Sequence, residues 1–279
     1  MDSFFTLIAE YDYASAWSYI SNGKHQSWYG SVRWTLGAAV LGASFALFFG
    51  LVGAMMRGSS NPLSRIIGRG YIGMVRGIPD VLFLIFFPLA FEIGVEKLLA
   101  QMHCSPTERA SGIWPPCDSA QWALSSIEYF LLACISLGLV YGAFCANIIY
   151  GAMQTVPKGQ LEAAAAYGMT PRQSLYRVHL PQMWVYALPG LSNVWMLLLK
   201  ATSLLSLLQI ADIVQWAERL GAPNYFAFAG MVHGDWRWRY YLVLFLFYIL
   251  LTLISEWGFR VLTRRVSRGM ATEGGQNAG

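Results

Sequence analysis

The chain has 279 residues, 56% of them hydrophobic and only 12% charged, with a mean hydropathy of +0.44. That is about half the charge density of a soluble domain, which places the chain in the membrane class and excludes a large soluble core. The formal net charge of +4 is small and unevenly spread, and no Lys/Arg stripe with interleaved aromatics is present; the charge orients the chain in a bilayer and excludes a nucleic-acid surface.

Residues 1–30 carry Asp2, Glu10 and Asp12 and no basic residue before Lys24, unlike the basic start of a cleaved signal peptide. With Phe4, Phe5, Leu7, Ile8, Trp17, Tyr19 and Ile20 interspersed, they read as a segment lying on the membrane surface, a disordered tail being the alternative. Residues 31–265 read as one membrane domain. A crossing needs about 20 apolar residues. Leu36 to Met56 holds no charge and is bracketed by Arg33 and Arg57, which makes it the first span. The short basic loop that follows, with Arg57, Arg65 and Arg69, belongs in the cytoplasm, so the N-terminus lies outside.

The second span must begin near Ile66, because the charge-free run Val81 to Phe91 is too short to cross. It then carries Asp80 about 14 residues, or roughly 21 Å, into the membrane. Pro79 and Pro88 are expected to interrupt it. Glu96 to Glu128 reads as a polar external segment, and Tyr129 to Met153 as the third span.

Val156 to Pro181 reads as a helical hairpin. Pro157 ends the preceding helix, Gln160 to Tyr167 is Ala-rich, and Gly168 supplies the left-handed position after a helix end. Thr170 caps a second helix with Pro171 at its first position, and Pro181 is expected to stop it. Two such short helices need a surface to lie on. Met183 to Leu208 is the fourth span, and Asp212 to Arg239 a second external segment whose Trp236, Trp238, Tyr240 and Tyr241 form an interfacial belt. Tyr240 to Trp257 is the fifth span, followed by Arg260, Arg264, Arg265 and Arg268; residues 266–279 read as a disordered cytoplasmic tail. The expectation is an all-α, five-span membrane protein with hairpin and C-terminus inside.

No G-x4-G-K-[ST] loop occurs, so any ATP-driven role requires a partner ATPase. There is no G-x-S-x-G or H-E-x-x-H, and the four His stand singly, so no catalytic residue and no metal site is expected. Ionisable groups at membrane depth are functional candidates. Here they are Asp80 and Lys200, either a structural ion pair or groups lining a path. Asn147, Thr202 and Ser203 are neutral candidates beside them, or contacts between helices. Cys104 and Cys117 fall in the expected external segment, where an oxidising compartment favours a disulfide; two unpaired thiols, or a metal site with His103, are the alternatives. Cys134 and Cys145, eleven residues apart and so about 16 Å along one helix, are too far apart to bond and read as packing residues.

Glu162-Ala163-Ala164, Gly168 and Val178-His179-Leu180-Pro181 resemble the EAA signature, EAA-x3-G-x9-I-x-L-P, of the membrane subunits of bacterial ABC importers. The resemblance extends over residues 30–265, through Arg76-Gly77-Ile78-Pro79-Asp80, Val156-Pro157-Lys158-Gly159-Gln160, Ala187-Leu188-Pro189-Gly190 and Lys200-Ala201-Thr202-Ser203-Leu204. It is most similar to polar amino-acid permeases of the histidine, lysine/arginine/ornithine and opine type. It implies a type I ABC importer transmembrane domain whose EAA hairpin, through Glu162, Ala163, Ala164, Gly168 and Pro181, docks in a groove of an ATPase. It also implies alternating access about a midplane site, in a bacterial inner membrane. The implied partners are a second homologous permease, two ATPase subunits that bind ATP and magnesium, and a periplasmic solute-binding protein; this chain itself holds no cofactor. Many of these permeases carry Glu-x2-Arg where this chain has Asn147 and Tyr150, which permits a heterodimer in which the second permease supplies the acid. The alternative of a different class is a secondary transporter or channel subunit relaying ions through Asp80 and Lys200.

Overall fold

The computed structural model describes residues 13–122, 124–208, 210–226 and 232–267. Residues 1–12 of the expected surface segment and 268–279 of the expected tail lie outside the described residues. Apart from one antiparallel bridge between Asn224 and His233, regular structure among the described residues is helical. In chain order the helices are α1 Tyr13–Ile20, α2 Gly23–Gly58, α3 Pro62–Val75, α4 Asp80–His103, α5 Pro106–Arg109, α6 Ser126–Thr155, α7 Lys158–Ala166, α8 Pro171–Ser174, α9 Leu180–Ala201, α10 Ile213–Gly221 and α11 Arg237–Val266.

Four helical stretches among the described residues are long and apolar enough to cross a membrane: Gly23–Gly58, Ser126–Thr155, Pro171–Leu208 and Arg237–Val266. A fifth crossing exists if α3 and α4 are taken together, but their axes differ by 117°. This corrects the expected second span. The interruption expected at Pro79 is present, but it is a full break and not a bend within one span: the chain ends α3 at Val75, turns, and restarts with Asp80 as the first residue of α4. Ile78 precedes a proline and is pushed out of helical geometry, and Pro79 has no N–H to offer the ladder. Pro88, by contrast, sits inside α4 without ending it.

Pro181 is corrected in the same way. It does not stop the second arm of the hairpin, because α8 passes through a π-helical turn, Leu175–His179, directly into α9. In that turn the Leu180 N–H donates to the Leu175 carbonyl, five residues back. The widened register absorbs the missing donor of Pro181 where an α-ladder would break.

The chain divides into two compact units, Met1–Val40 with Ala201–Leu250 and Leu41–Lys200 with Leu251–Gly279. In the second, α6 is the most buried span, with Leu137, Tyr141, Cys145 and Ile149 all inside. α2 approaches it closely at Gly50, where a Cβ would stand 2.5 Å from that of Cys145. Small residues permit such contact between membrane helices. Cys134 and Cys145 are buried free thiols. Beyond α4, Cys104 and Cys117 are joined by a disulfide with Cα atoms 5.9 Å apart, packed against the buried Ala100 and Ala120. Glu96 braces the same loop, accepting from the Trp114 indole at 2.8 Å and the Trp122 N–H at 3.3 Å.

In the first unit, α10 forms within the expected external segment and turns Ile213, Ala217 and Leu220 inward at helical spacing. They pack with Tyr19, Trp28, Tyr240 and Leu244. The Trp28 indole donates to the Ile213 carbonyl at 3.0 Å. Within residues 1–30, therefore, Tyr19, His25 and Trp28 face a protein core, while Trp17 and Ile20 remain exposed. Asp212 caps α10: its Oδ1 accepts from the Gln215 N–H at 2.8 Å, and its buried Oδ2 has no partner among the described residues. Burial pushes its carboxyl up to about 6, against backbone hydrogen bonds that hold it down.

Two outcomes follow from these contacts. Removing the disulfide by Cys104→Ser with Cys117→Ser should lower stability by about 3 kcal/mol, from the freed loop entropy, read as a drop in melting temperature in detergent. Because Asp212 binds its proton more tightly folded than unfolded, its contribution to stability is whole below the ordinary carboxyl value of 3.8 and is lost as pH rises to about 6. Asp212→Asn keeps the capping oxygen without the charge, so at about pH 8 it should stabilise the chain by about 3 kcal/mol, the gain vanishing near about pH 4.

Candidate functional site

The hairpin begins where Pro157 takes the N-cap of α7. α7 ends in a Schellman pattern: the Gly168 N–H donates to Ala165 O at 2.9 Å and the Met169 N–H to Ala164 O at 3.1 Å. Gly168 holds φ +77°, a conformation costly for any residue with a Cβ. Thr170 and Gln173 then form a reciprocal capping box, with Pro171 at the first helical position of α8. The second arm is tied back at two points. His179 Nε2 donates to the Met153 carbonyl at 2.9 Å, satisfying an orphan acceptor in the last turn of α6, and the Gln182 amide donates to Gln160 Oε1 at 2.6 Å. Of the signature residues, Ala164 is buried against the hairpin while Glu162, Ala163 and Gly168 are exposed. Tyr167 is 87% and Tyr176 68% exposed, so this rigid turn presents a surface that its own chain does not cover.

The break between α3 and α4 positions a carboxylate. Asp80 is half-buried at the start of α4, where the helix dipole favours a negative charge, and its Oδ2 accepts from the hydroxyl of buried Tyr141 at 2.7 Å. Four residues earlier, the Arg76 guanidinium lies 5.3 Å from the centre of the Phe144 ring, which stacks on Tyr141. Both sides of the break are thus held to one face of α6. Tyr71, on α3, adds a hydrogen bond to Leu139 O at 2.7 Å.

The remaining candidates fall elsewhere. Asn147 does not reach Asp80's hydrogen bond; its Oδ1 accepts from Arg57 Nη1 at 2.8 Å, and the same guanidinium lies 4.3 Å over the Tyr150 ring. Arg57, from the end of α2, therefore engages both residues that stand at the Glu-x2-Arg positions. Lys200 is exposed in the last turn of α9. Thr202 and Ser203 open a 3-10 helix, Thr202–Leu208, in the other compact unit; the buried Thr202 hydroxyl lies 3.4 Å from that of Tyr248, and the Ser203 carbonyl accepts from Ser206. Sequence reasoning missed Tyr141 as the partner of Asp80 and Arg57 as the partner of Asn147. Local spacing signals neither pair, since Tyr141 lies 61 residues from Asp80 and Arg57 lies 90 from Asn147.

Residues 46–268 match the family described as binding-protein-dependent transport system inner membrane component. The chain belongs to this family. It is 34% identical over 242 residues to the histidine/lysine/arginine/ornithine transport system permease protein HisQ of Salmonella typhimurium, covering 85% of this chain and 91% of that protein. It is 28% identical over 239 residues to the arginine ABC transporter permease protein ArtQ of Haemophilus influenzae, covering 84% and 90%. With the octopine transport system permease protein OccQ of Rhizobium radiobacter it shares 27% identity over 259 residues, 93% of this chain and 98% of that one. Among solved structures, an amino acid ABC transporter crystallised with histidines matches with a TM-score of 0.62 and 22% identity, over 86% of this chain and 94% of that one. The inward-facing methionine transporter MetNI matches at 0.57 and 16%, over 85% and 94%. The fold is that of ABC importer transmembrane domains. This inner membrane component is a multi-pass protein, and family membership leaves the ion-relay reading of Asp80 and Lys200 without support.

Proposed function

We propose that the chain is the permease subunit of an ATP-driven bacterial importer of cationic or polar amino acids or opines. It works with a second homologous permease in a heterodimer, two ATPase subunits that bind ATP and magnesium, and a periplasmic solute-binding protein. The N-terminus faces the periplasm, and the hairpin and C-terminus the cytoplasm. The observation that carries the reading is the hairpin: a capped, doubly anchored turn with exposed Glu162, Ala163 and Tyr167, in a chain with no phosphate-binding loop of its own. Such a surface suits docking into an ATPase, whose closure would move α8 and α9 with it and switch the pathway between the two sides. The substrate class follows the names of the relatives and the carboxylate of Asp80, a suitable partner for a cationic group once Tyr141 has oriented it.

Glu162→Lys and Gly168→Val should leave the membrane subunits inserted while lowering binding-protein-stimulated ATP hydrolysis and uptake by about tenfold, equivalent to about 1.4 kcal/mol of docking. Wild-type values in both variants would refute the coupling role. Asp80→Asn, which keeps shape and removes charge, should weaken uptake of arginine, ornithine, histidine or an opine by about tenfold to a hundredfold, the loss of one charge-assisted contact, with assembly and basal ATP hydrolysis retained. If assembly falls instead and transport per assembled complex is unchanged, Asp80 is a structural residue and the cationic substrate class loses its support.

A further inference from the structure

An unbroken line of polar groups runs through the first compact unit. His25 Nδ1 lies 3.1 Å from Asn22 Oδ1, and His25 Nε2 2.8 Å from the Tyr240 hydroxyl. That hydroxyl is 3.2 Å from the Tyr19 hydroxyl, which is 3.1 Å from His233 Nε2. His233 Nδ1 ends the line 2.7 Å from the Gly234 carbonyl. His25 and His233 are 1% and 6% exposed, and Tyr19 and Tyr240 are both 7% exposed, with Tyr19, His25 and Tyr240 on the wall of an aromatic cavity of about 520 Å³.

Both ends of the line can only accept. Asn22 Oδ1 is the amide oxygen and not the nitrogen, because it also receives the backbone N–H groups of Lys24 and His25, each at 3.0 Å. His25 Nδ1 must therefore donate to it, and His233 Nδ1 must donate to the Gly234 carbonyl. A neutral imidazole has one N–H, so in the neutral state both Nε2 atoms are acceptors. Two phenol protons are left to serve the three inner contacts. Five contacts meet four protons. The line is at least one proton short whatever partners lie outside it, since an outside acceptor would deepen the shortfall and an outside donor places no proton between these atoms.

We propose that this line is a buried proton-binding site, taking one proton that is shared between His25 and His233. With the proton on His233, its Nε2–H donates to Tyr19, Tyr19 to Tyr240, and Tyr240 to His25. With the proton on His25 every inner donor reverses: His25 donates to Tyr240, Tyr240 to Tyr19, and Tyr19 to His233. Three protons each cross one contact and the charge changes ends, with no other bond made or broken. In the neutral state one inner contact sets two lone pairs face to face; the Tyr19–Tyr240 contact, the longest of the five, suffers least. Proton uptake completes it, tying α1 and the turn before α2 to α11, between tyrosines 221 residues apart in sequence.

The other ionisable groups on the packed elements are Lys24 beside the Asn22 turn, Tyr29 with its ring 6.4 Å from His25, and Arg239 on the rim of the same aromatic cavity. On the remaining elements stand Asp212 at the cap of α10 and Asp235, ion-paired with Arg237 beside Glu218 and Tyr241. Among the described residues no carboxylate is ion-paired with either imidazole. Burial opposes the cation, and the completed hydrogen bonds favour it.

The test is nitrogen NMR of the full-length chain, with its co-purified subunits, in lipid discs and labelled at histidine. His103→Gln and His179→Gln clear the other two imidazoles. Between about pH 8 and about pH 5 the cationic fractions of His25 and His233 should rise together and sum to one proton. Tyr19→Phe removes one proton and two contacts, leaving three contacts for three protons, so it should weaken proton binding about tenfold, the effect of one charge-assisted hydrogen bond. Tyr240→Phe has the same expected effect from the other side and serves if Tyr19→Phe fails to fold. Tyr29→Phe, whose hydroxyl donates to the Ile20 carbonyl outside the line, should titrate as wild type. Two neutral imidazoles down to about pH 5, one proton on each, or wild-type titration in the folded Phe variants would overturn the proposal.

Discussion

In hydrocarbon a backbone N–H or carbonyl has no water to turn to, so each place where a spanning helix stops, bends or changes pitch must find its partners within the protein. The interruptions in this chain follow that constraint. At the α3–α4 break the Gly77 and Ile78 N–H groups close onto Met74 and Val75, and Pro79, with no donor to lose, takes the cap of the next helix. At the hairpin, the Schellman turn and the Thr170–Gln173 box satisfy one helix end and the next helix start within three residues. Even the orphan carbonyl of Met153 is claimed by a side chain, His179, from the returning arm.

The same constraint sorts the polar side chains. A carboxylate at a helix break is held by a tyrosine, an asparagine within a span by an arginine from the end of another, and a buried aspartate by the helix that it caps. The first two pairings each fix two elements at once, while the third fixes the start of one helix. A line of acceptors and donors that is one proton short, like that from Asn22 to Gly234, is the exception, and so it is the place where the surrounding pH can act on packing.

Much of this was legible in the residues. Long apolar runs located the four long crossings, and Gly168, Thr170 and Pro171 located the hairpin turn, because capping chemistry depends on neighbours only three residues away. Pro181 and the span through Asp80 were misread for a shared reason. A proline announces a missing donor, but whether the helix ends, bends by 117° or widens into a π turn depends on which tertiary contacts can carry the cost. The partners of Asp80 and Asn147 were hidden similarly: Tyr141 is 61 residues from Asp80, and Arg57 is 90 from Asn147. No local spacing encodes contacts of that range. Tyr19, read as part of a segment lying on the membrane surface, is buried in a core instead, since aromatic residues suit an interface and a core equally well.

The π turn at Leu175–His179 has a mechanical consequence. A helix broken at Pro181 would have joined hairpin and span through a hinge, and a hinge dissipates displacement into rotation about loose bonds. Here the chain from Pro171 to Lys200 is one hydrogen-bonded rod, about 45 Å long at 1.5 Å per residue. Displacement imposed at its exposed end arrives at the far end with little slack. Any movement of the hairpin thus becomes a tilt or a slide of α9 as a whole, with leverage set by where the rod is clamped at His179 and Gln182.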